Sequence, residues 1–99
     1  PSVEKLLLNS SQPIELLNSL ALKGCNSVLW ECGPSLSAQA IKQNCVQELM
    51  VFIAPKLLGG NSAMTPLGNL GFESMNTVIQ LDENFIKREG NDLLLNLFI

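Results

Sequence analysis

The residues best suited to chemistry lie together in Val28-Leu29-Trp30-Glu31-Cys32-Gly33-Pro34-Ser35-Leu36. Glu31 ends a short apolar run, and ligands in open α/β sheets bind beyond the carboxyl ends of strands. Gly33 lets the backbone turn tightly and lets a ligand come close, because it has no Cβ. Pro34 suits the first position of a helix, where a missing N–H costs nothing. The free N–H groups of Ser35 and Leu36 then point out of the helix start, where the dipole favours an anion such as phosphate. The hydroxyls of Ser35 and Ser37 add donors. The same pattern also describes a plain helix start beside a solvated glutamate. It is neither Gly-x-Gly-x-x-Gly nor a P-loop, so spacing alone leaves both readings open.

Two further stretches stand out. In Ala54-Pro55-Lys56-Leu57-Leu58-Gly59-Gly60, a lysine could meet a phosphate and a glycine pair could line a ligand, or the segment simply ends a strand and reverses the chain. Glu89-Gly90-Asn91-Asp92 reads as a hairpin connection.

Other chemistries have little support. The chain has no histidine, so serine and cysteine lack their usual base and a zinc site lacks its commonest nitrogen ligand. Cys25, Cys32 and Cys45 form no Cys-x-x-Cys pair and read as reduced cysteines of a cytoplasmic protein. No metal site is expected. Glu31 has no acidic neighbour at its strand end for paired-carboxylate hydrolysis. The net charge of −3 and the lack of a basic cluster argue against a nucleic-acid binder. A redox enzyme fits better, because its cofactor carries the chemistry and the protein supplies a binding surface and a polar anchor.

Positioning these residues requires an α/β frame. Residues 5–8 form a short apolar run read as a strand, ended by Asn9-Ser10-Ser11. A helix over 13–23 follows, with Pro13 at its start, Glu15 in its first turn and Gly24 as its stop. Residues 27–31 form the next strand. A second helix runs over 34–43, with Asn44 as its stop. Residues 46–54 form the strongest strand, whose continuous apolar run predicts a mid-sheet position in a parallel sheet. Residues 59–71 read as glycine-rich loop. Strands over 78–85 and 93–98 close the chain as an antiparallel hairpin. Strand–helix alternation predicts an α/β sheet, mostly parallel, with that hairpin at its edge.

The apolar fraction is 46%, but only 15% of residues are charged, against about 25% in an average domain. So little charge predicts a surface that meets a partner. No apolar run reaches the roughly 18 residues of a membrane span, and no signal peptide is evident. The chain opens on Pro1 without an initiator methionine, as an excised or processed piece would.

Taken together and in order, residues 28–36, the Gln47-Glu48-Leu49 to Gly60 stretch and Gly90-Asn91-Asp92-Leu93-Leu94-Leu95 resemble the C-terminal reductase domain of the bifunctional riboflavin-biosynthesis deaminase/reductase family. The resemblance runs from about Leu6 to the end, and covers the C-terminal half of a domain about twice this size. It implies a dihydrofolate-reductase-like, three-layer α/β fold, with residues 1–99 as one partial domain. It implies NADPH-dependent reduction of 5-amino-6-(5-phosphoribosylamino)uracil to the ribitylamino product. By that resemblance Glu31 contacts substrate, while Gly33, Pro34, Ser35, Leu36, Ser37, Ala38 and Gln39 hold the cofactor phosphates. Cys32 and Trp30 depart from the family's usual Gly or Ala and small aliphatic residue. The family's deaminase zinc signature is absent, so no deamination is expected. The expected partners are a second copy of the chain, as a homo-oligomer or dimer, or the missing N-terminal part. The alternative is a non-catalytic nucleotide-binding or assembly module that keeps half of the fold.

Overall fold

The computed structural model describes residues 3–8, 12–63 and 65–99. Two helices come first. Helix α1 spans Pro13–Leu22 and α2 spans Pro34–Lys42, within a residue of the ranges expected from sequence. Both begin with proline at the first helical turn. Both also end in the same way. At α1, Gly24 takes φ 90°, its N–H donates to the Ala21 carbonyl and the Cys25 N–H donates to the Leu20 carbonyl. At α2, Asn44 takes φ 59°, its N–H donates to Ile41 and the Cys45 N–H donates to Ala40 at 2.8 Å. These paired bonds are the Schellman closure, in which one left-handed residue satisfies the last carbonyls of a helix.

The helices are joined at their ends. The Gln43 carboxamide oxygen, at the end of α2, accepts the Ile14 N–H in the first turn of α1 at 3.3 Å, and its nitrogen donates to Gln12. Pro13, Ala38, Ala40, Ile41 and Cys45 are buried around this pair.

The sheet has three strands: β1 (Glu48–Ile53), β2 (Asp82–Glu89) and β3 (Asp92–Phe98), in the order β1-β3-β2. A 3-10 turn, Met75–Thr77, precedes β2. The hairpin expected from sequence is present. Gly90 at φ 61° opens its two-residue turn, the position where a type II′ connection demands glycine. Asn84 is an extra residue in β2, between the Glu83–Leu97 and Phe85–Asn96 pairs. Its amide donates to Asn96 Oδ1 at 2.7 Å, and Asn96 Nδ2 donates to Glu48 Oε2 at 3.4 Å. Asn96 is buried, and this polar thread crosses all three strands.

Three expectations are corrected. Both strand pairs are antiparallel, not mostly parallel, because β1 finds its partner in the returning hairpin and not in a strand that follows a helix. For the same reason β1 is an edge strand and not a central one; Met50 is 54% and Phe52 58% exposed. Residues 27–31, and the described residues 5–8, lie outside any strand: neither run meets a sheet partner among the described residues. The Asn9-Ser10-Ser11 break lies outside the described residues. The observed frame is a helix pair and a three-stranded sheet rather than three full layers. It is α/β, as expected.

Candidate functional site

The stretch 31–39 forms the entry to α2. Gly33 is its N-cap with φ −73° and ψ 175°, extended backbone that any residue can adopt. A Cβ built on Gly33 meets nothing within 4 Å. Neither conformation nor packing therefore calls for glycine here, and its missing side chain leaves open space in front of the helix.

That helix start is uncapped. Gly33 has no side chain to cap with, and the first turn holds no acidic residue. The first bonded amide is that of Ser37, which donates to the Gly33 carbonyl at 3.1 Å. Pro34 has no N–H, and the amides of Ser35 and Leu36 have no partner among the described residues. At α1, by contrast, the Ile14 amide is taken by Gln43 and the Glu15 amide by the Gln12 carbonyl. Of the two helix starts, α2 is the one with donors to spare for an anion.

Glu31 is exposed and makes no hydrogen bond or ion pair among the described residues. Ser35 and Gln39 are exposed, and Pro34, Leu36 and Ser37 are half-buried. Ala38 is buried and faces the loop that straps the helix, so it supports the turn from within.

Three contacts that hold this entry in place were not readable from sequence. The Cys32 thiol and the Ser37 hydroxyl are 3.2 Å apart and close the turn from outside. The Trp30 indole N–H donates to the Cys45 carbonyl at 3.4 Å, which ties the segment before the site to the far end of α2. Trp30 is thus an anchor. The Gly68 N–H donates to the Pro34 carbonyl at 2.9 Å, and a Cβ on Gly68 would sit 3.1 Å from that oxygen. A side chain at this position would require the loop or the start of α2 to give by a few tenths of an ångström. The partners of Trp30 and Gly68 are 15 and 34 positions away (45 − 30 and 68 − 34), beyond the reach of any local pattern.

No hydrogen bond or ion pair found among the described residues joins the second candidate stretch to this site. Lys56 donates its N–H to Ala54 in a tight turn at 2.8 Å. Leu57 and Leu58 are fully or nearly fully exposed. Gly59 and Gly60 take φ 70° and 101°, as a chain reversal needs. Gly90-Asn91 serves the hairpin.

A helix pair set beside an antiparallel sheet, with an uncapped helix start shortly after an exposed carboxylate, defines an α/β fragment. Residues 3–95 match the family described as RibD C-terminal domain, and the chain belongs to that family. It is 38% identical over 97 residues to riboflavin biosynthesis protein RibD of Synechocystis sp., with 98% of this chain and 26% of that protein covered. It is 34% identical to the chloroplastic riboflavin biosynthesis protein PYRR of Arabidopsis thaliana, covering 16% of it. Among solved structures, Acinetobacter baumannii RibD in its form 2 superposes with a TM-score of 0.77 at 27% identity, over 85% of this chain and 23% of that one. The chain therefore spans about a quarter or less of the length of these relatives. No helix among the described residues is long and apolar enough to cross a membrane.

Proposed function

We propose that this chain is the C-terminal part of a dihydrofolate-reductase-like domain that reduces 5-amino-6-(5-phosphoribosylamino)uracil to its ribitylamino product in riboflavin biosynthesis, in the cytoplasm, with NADPH as reductant. The observation that carries this reading is the match of residues 3–95 to the RibD C-terminal domain family, a span that includes the uncapped start of α2.

The residues fit a dinucleotide phosphate on grounds of their own. The Ser35 and Leu36 amides lack partners among the described residues, Gly33 leaves room for close approach, and no first-turn carboxylate repels an anion. When bound, NADPH supplies the hydride. The protein's part is to bind and orient. The two amides and the Ser35 hydroxyl take phosphate oxygens. Gly33 clears the path, and Gly68 and Cys32 fix the angle at which the helix meets the ligand. Pro34, Leu36 and Ser37 shape the turn, with Ala38 filling its inner side and Gln39 on the outer face. Glu31, four residues before Ser35 and without a hydrogen-bond or ion-pair partner among the described residues, holds a hydroxyl or amine of the substrate.

Titration of this chain with NADPH in a calorimeter tests the reading. Saturable heat at micromolar to millimolar cofactor is expected, and silence at millimolar concentration refutes the phosphate assignment. A non-catalytic nucleotide-binding module is the second reading, and it rests on the chain's 26% share of its Synechocystis relative. It predicts the same heat but no oxidation of NADPH when substrate is added, even with the rest of a family-length chain present.

A further inference from the structure

The loop that crosses α2 is attached at a single point. Among the described residues, the one hydrogen bond that leaves residues 57–73 runs from the Gly68 N–H to the Pro34 carbonyl at 2.9 Å. The others stay inside a strap of residues 65–71: the Thr65 hydroxyl donates to the Leu67 carbonyl, and the Gly71 N–H donates to Asn69 Oδ1 at 2.7 Å. The attachment is close-packed, since a Cβ on Gly68 would lie 3.5 Å from the Ala38 Cβ as well as against the Pro34 oxygen. The rest of the strap is not buried. Thr65, Pro66 and Asn69 are exposed, and segments with few buried contacts open locally at low free energy.

The acceptor of that bond belongs to the candidate phosphate site. The Pro34 carbonyl and the Ser35 N–H are the two ends of one peptide unit, and a trans unit carries them on opposite sides. Gly68 therefore donates to one end of a group whose other end is a donor with no partner among the described residues. A carbonyl has two lone pairs, so the bond from Gly68 leaves one for the helix's own ladder. Hydrogen bonds in series polarise one another, by roughly 10–30% per bond. A carbonyl that accepts a bond thus makes the N–H of its own unit a stronger donor. The matching carbonyl of α1, that of Pro13, receives no bond from a loop among the described residues. The helix start with donors to spare is the one that is strapped.

We infer that residues 65–71 regulate this site: the closed strap, through the Gly68 N–H, orients and strengthens the Ser35 donor, and a bound phosphate group in turn holds the strap closed. Gly68 is a positioning residue. It touches no ligand and acts through the Pro34–Ser35 peptide unit. The inference rests on the NADPH reading of the α2 start and adds a control to it. The coupling is reciprocal: the factor by which strap closure raises cofactor affinity is the factor by which bound cofactor favours closure.

The test replaces Gly68 with glycolic acid, which puts an ester oxygen where the N–H was and adds no side chain. The 99-residue chain can be assembled for this purpose from synthetic segments joined at Cys32 and Cys45. Wild type and the ester variant are titrated with NADPH in a calorimeter, and the Ser35 and Gly68 amides are followed by NMR. The ester is expected to bind NADPH about two- to fourfold more weakly, the share that one polarising bond adds to a charge-assisted contact. Without cofactor, its Ser35 amide proton is expected to shift upfield. In wild type, NADPH is expected to slow exchange of the Gly68 amide by about the factor that the ester loses in affinity. Gly68→Ala, whose Cβ makes the loop give by a few tenths of an ångström, is expected to fall between the two, and it carries the same readouts if the ester variant does not fold. Urea unfolding runs on the same samples. A lower unfolding midpoint with the Ser35 shift and the NADPH affinity unchanged makes Gly68 merely structural and overturns the inference, with the cofactor reading intact. Silence of wild type at millimolar NADPH refutes the cofactor reading and overturns the inference with it.

Discussion

Replacing Gly33 with valine separates folding from ligand binding. The residue sits at φ −73° and ψ 175°, within the extended region that β-branched residues favour and that the residue before a proline is confined to. Its new methyl groups start from a Cβ with no neighbour within 4 Å. Folding stability should change by no more than about 0.5 kcal/mol, the range of surface substitutions away from special features. Binding should not be spared. A valine side chain in front of the Ser35 and Leu36 amides holds a phosphate off, and a charge-assisted hydrogen bond contributes about 1.5–3 kcal/mol. Losing one such bond weakens NADPH about 10- to 150-fold, at 1.4 kcal/mol per tenfold change. Calorimetric titration of wild type and Gly33→Val, with urea unfolding run on the same samples, reads both quantities. Unchanged affinity in a folded variant refutes the phosphate site. A stability loss as large as the binding loss refutes the claim that the glycine is there for the ligand.

Substitutions at three other positions bear on the same frame. Glu31→Gln, made in a family-length reductase, should cut turnover at least tenfold and leave NADPH affinity and melting temperature unchanged, since Glu31 is exposed and partnerless among the described residues; an equal fall in melting temperature would make it a structural residue. Asn44→Val should cost about 1–2 kcal/mol, because a β-branched residue resists the left-handed φ of 59°, while Asn44→Gly should match or exceed wild type; chemical denaturation of the pair decides. Gly68→Val should lower stability by about 1–3 kcal/mol as its side chain meets the Pro34 carbonyl, and a variant as stable as wild type would show that the loop does not strap α2.

What could be read from the sequence follows the range of the forces involved. Helix ends are decided within a few residues, so Pro13, Pro34, Gly24 and Asn44 marked both helices closely. The Gly90-Asn91 turn is equally local, and it marked the hairpin. Strand direction is decided at long range. An unbroken apolar run such as residues 49–54 reads as buried on both faces, yet β1 pairs with residues 40 to 50 positions later and keeps one edge open. The candidate site divides in the same way. Glu31, Gly33 and the start of α2 were visible as a local motif, and the resemblance in three separated stretches gave them a family. The braces of that motif, Trp30 on Cys45 and Gly68 on Pro34, link segments that no spacing rule connects.

The two failed strand expectations carry information of their own. Residues 5–8 and 27–31 have strand composition, and apolar residues in both runs stand largely exposed, Leu7 and Leu29 among them. Strand composition is a context-dependent preference, and without a neighbouring strand among the described residues both runs stay outside the sheet. The antiparallel outcome has the same origin. Among the described residues the one strand neighbour of β1 is the hairpin strand β3, which runs against it.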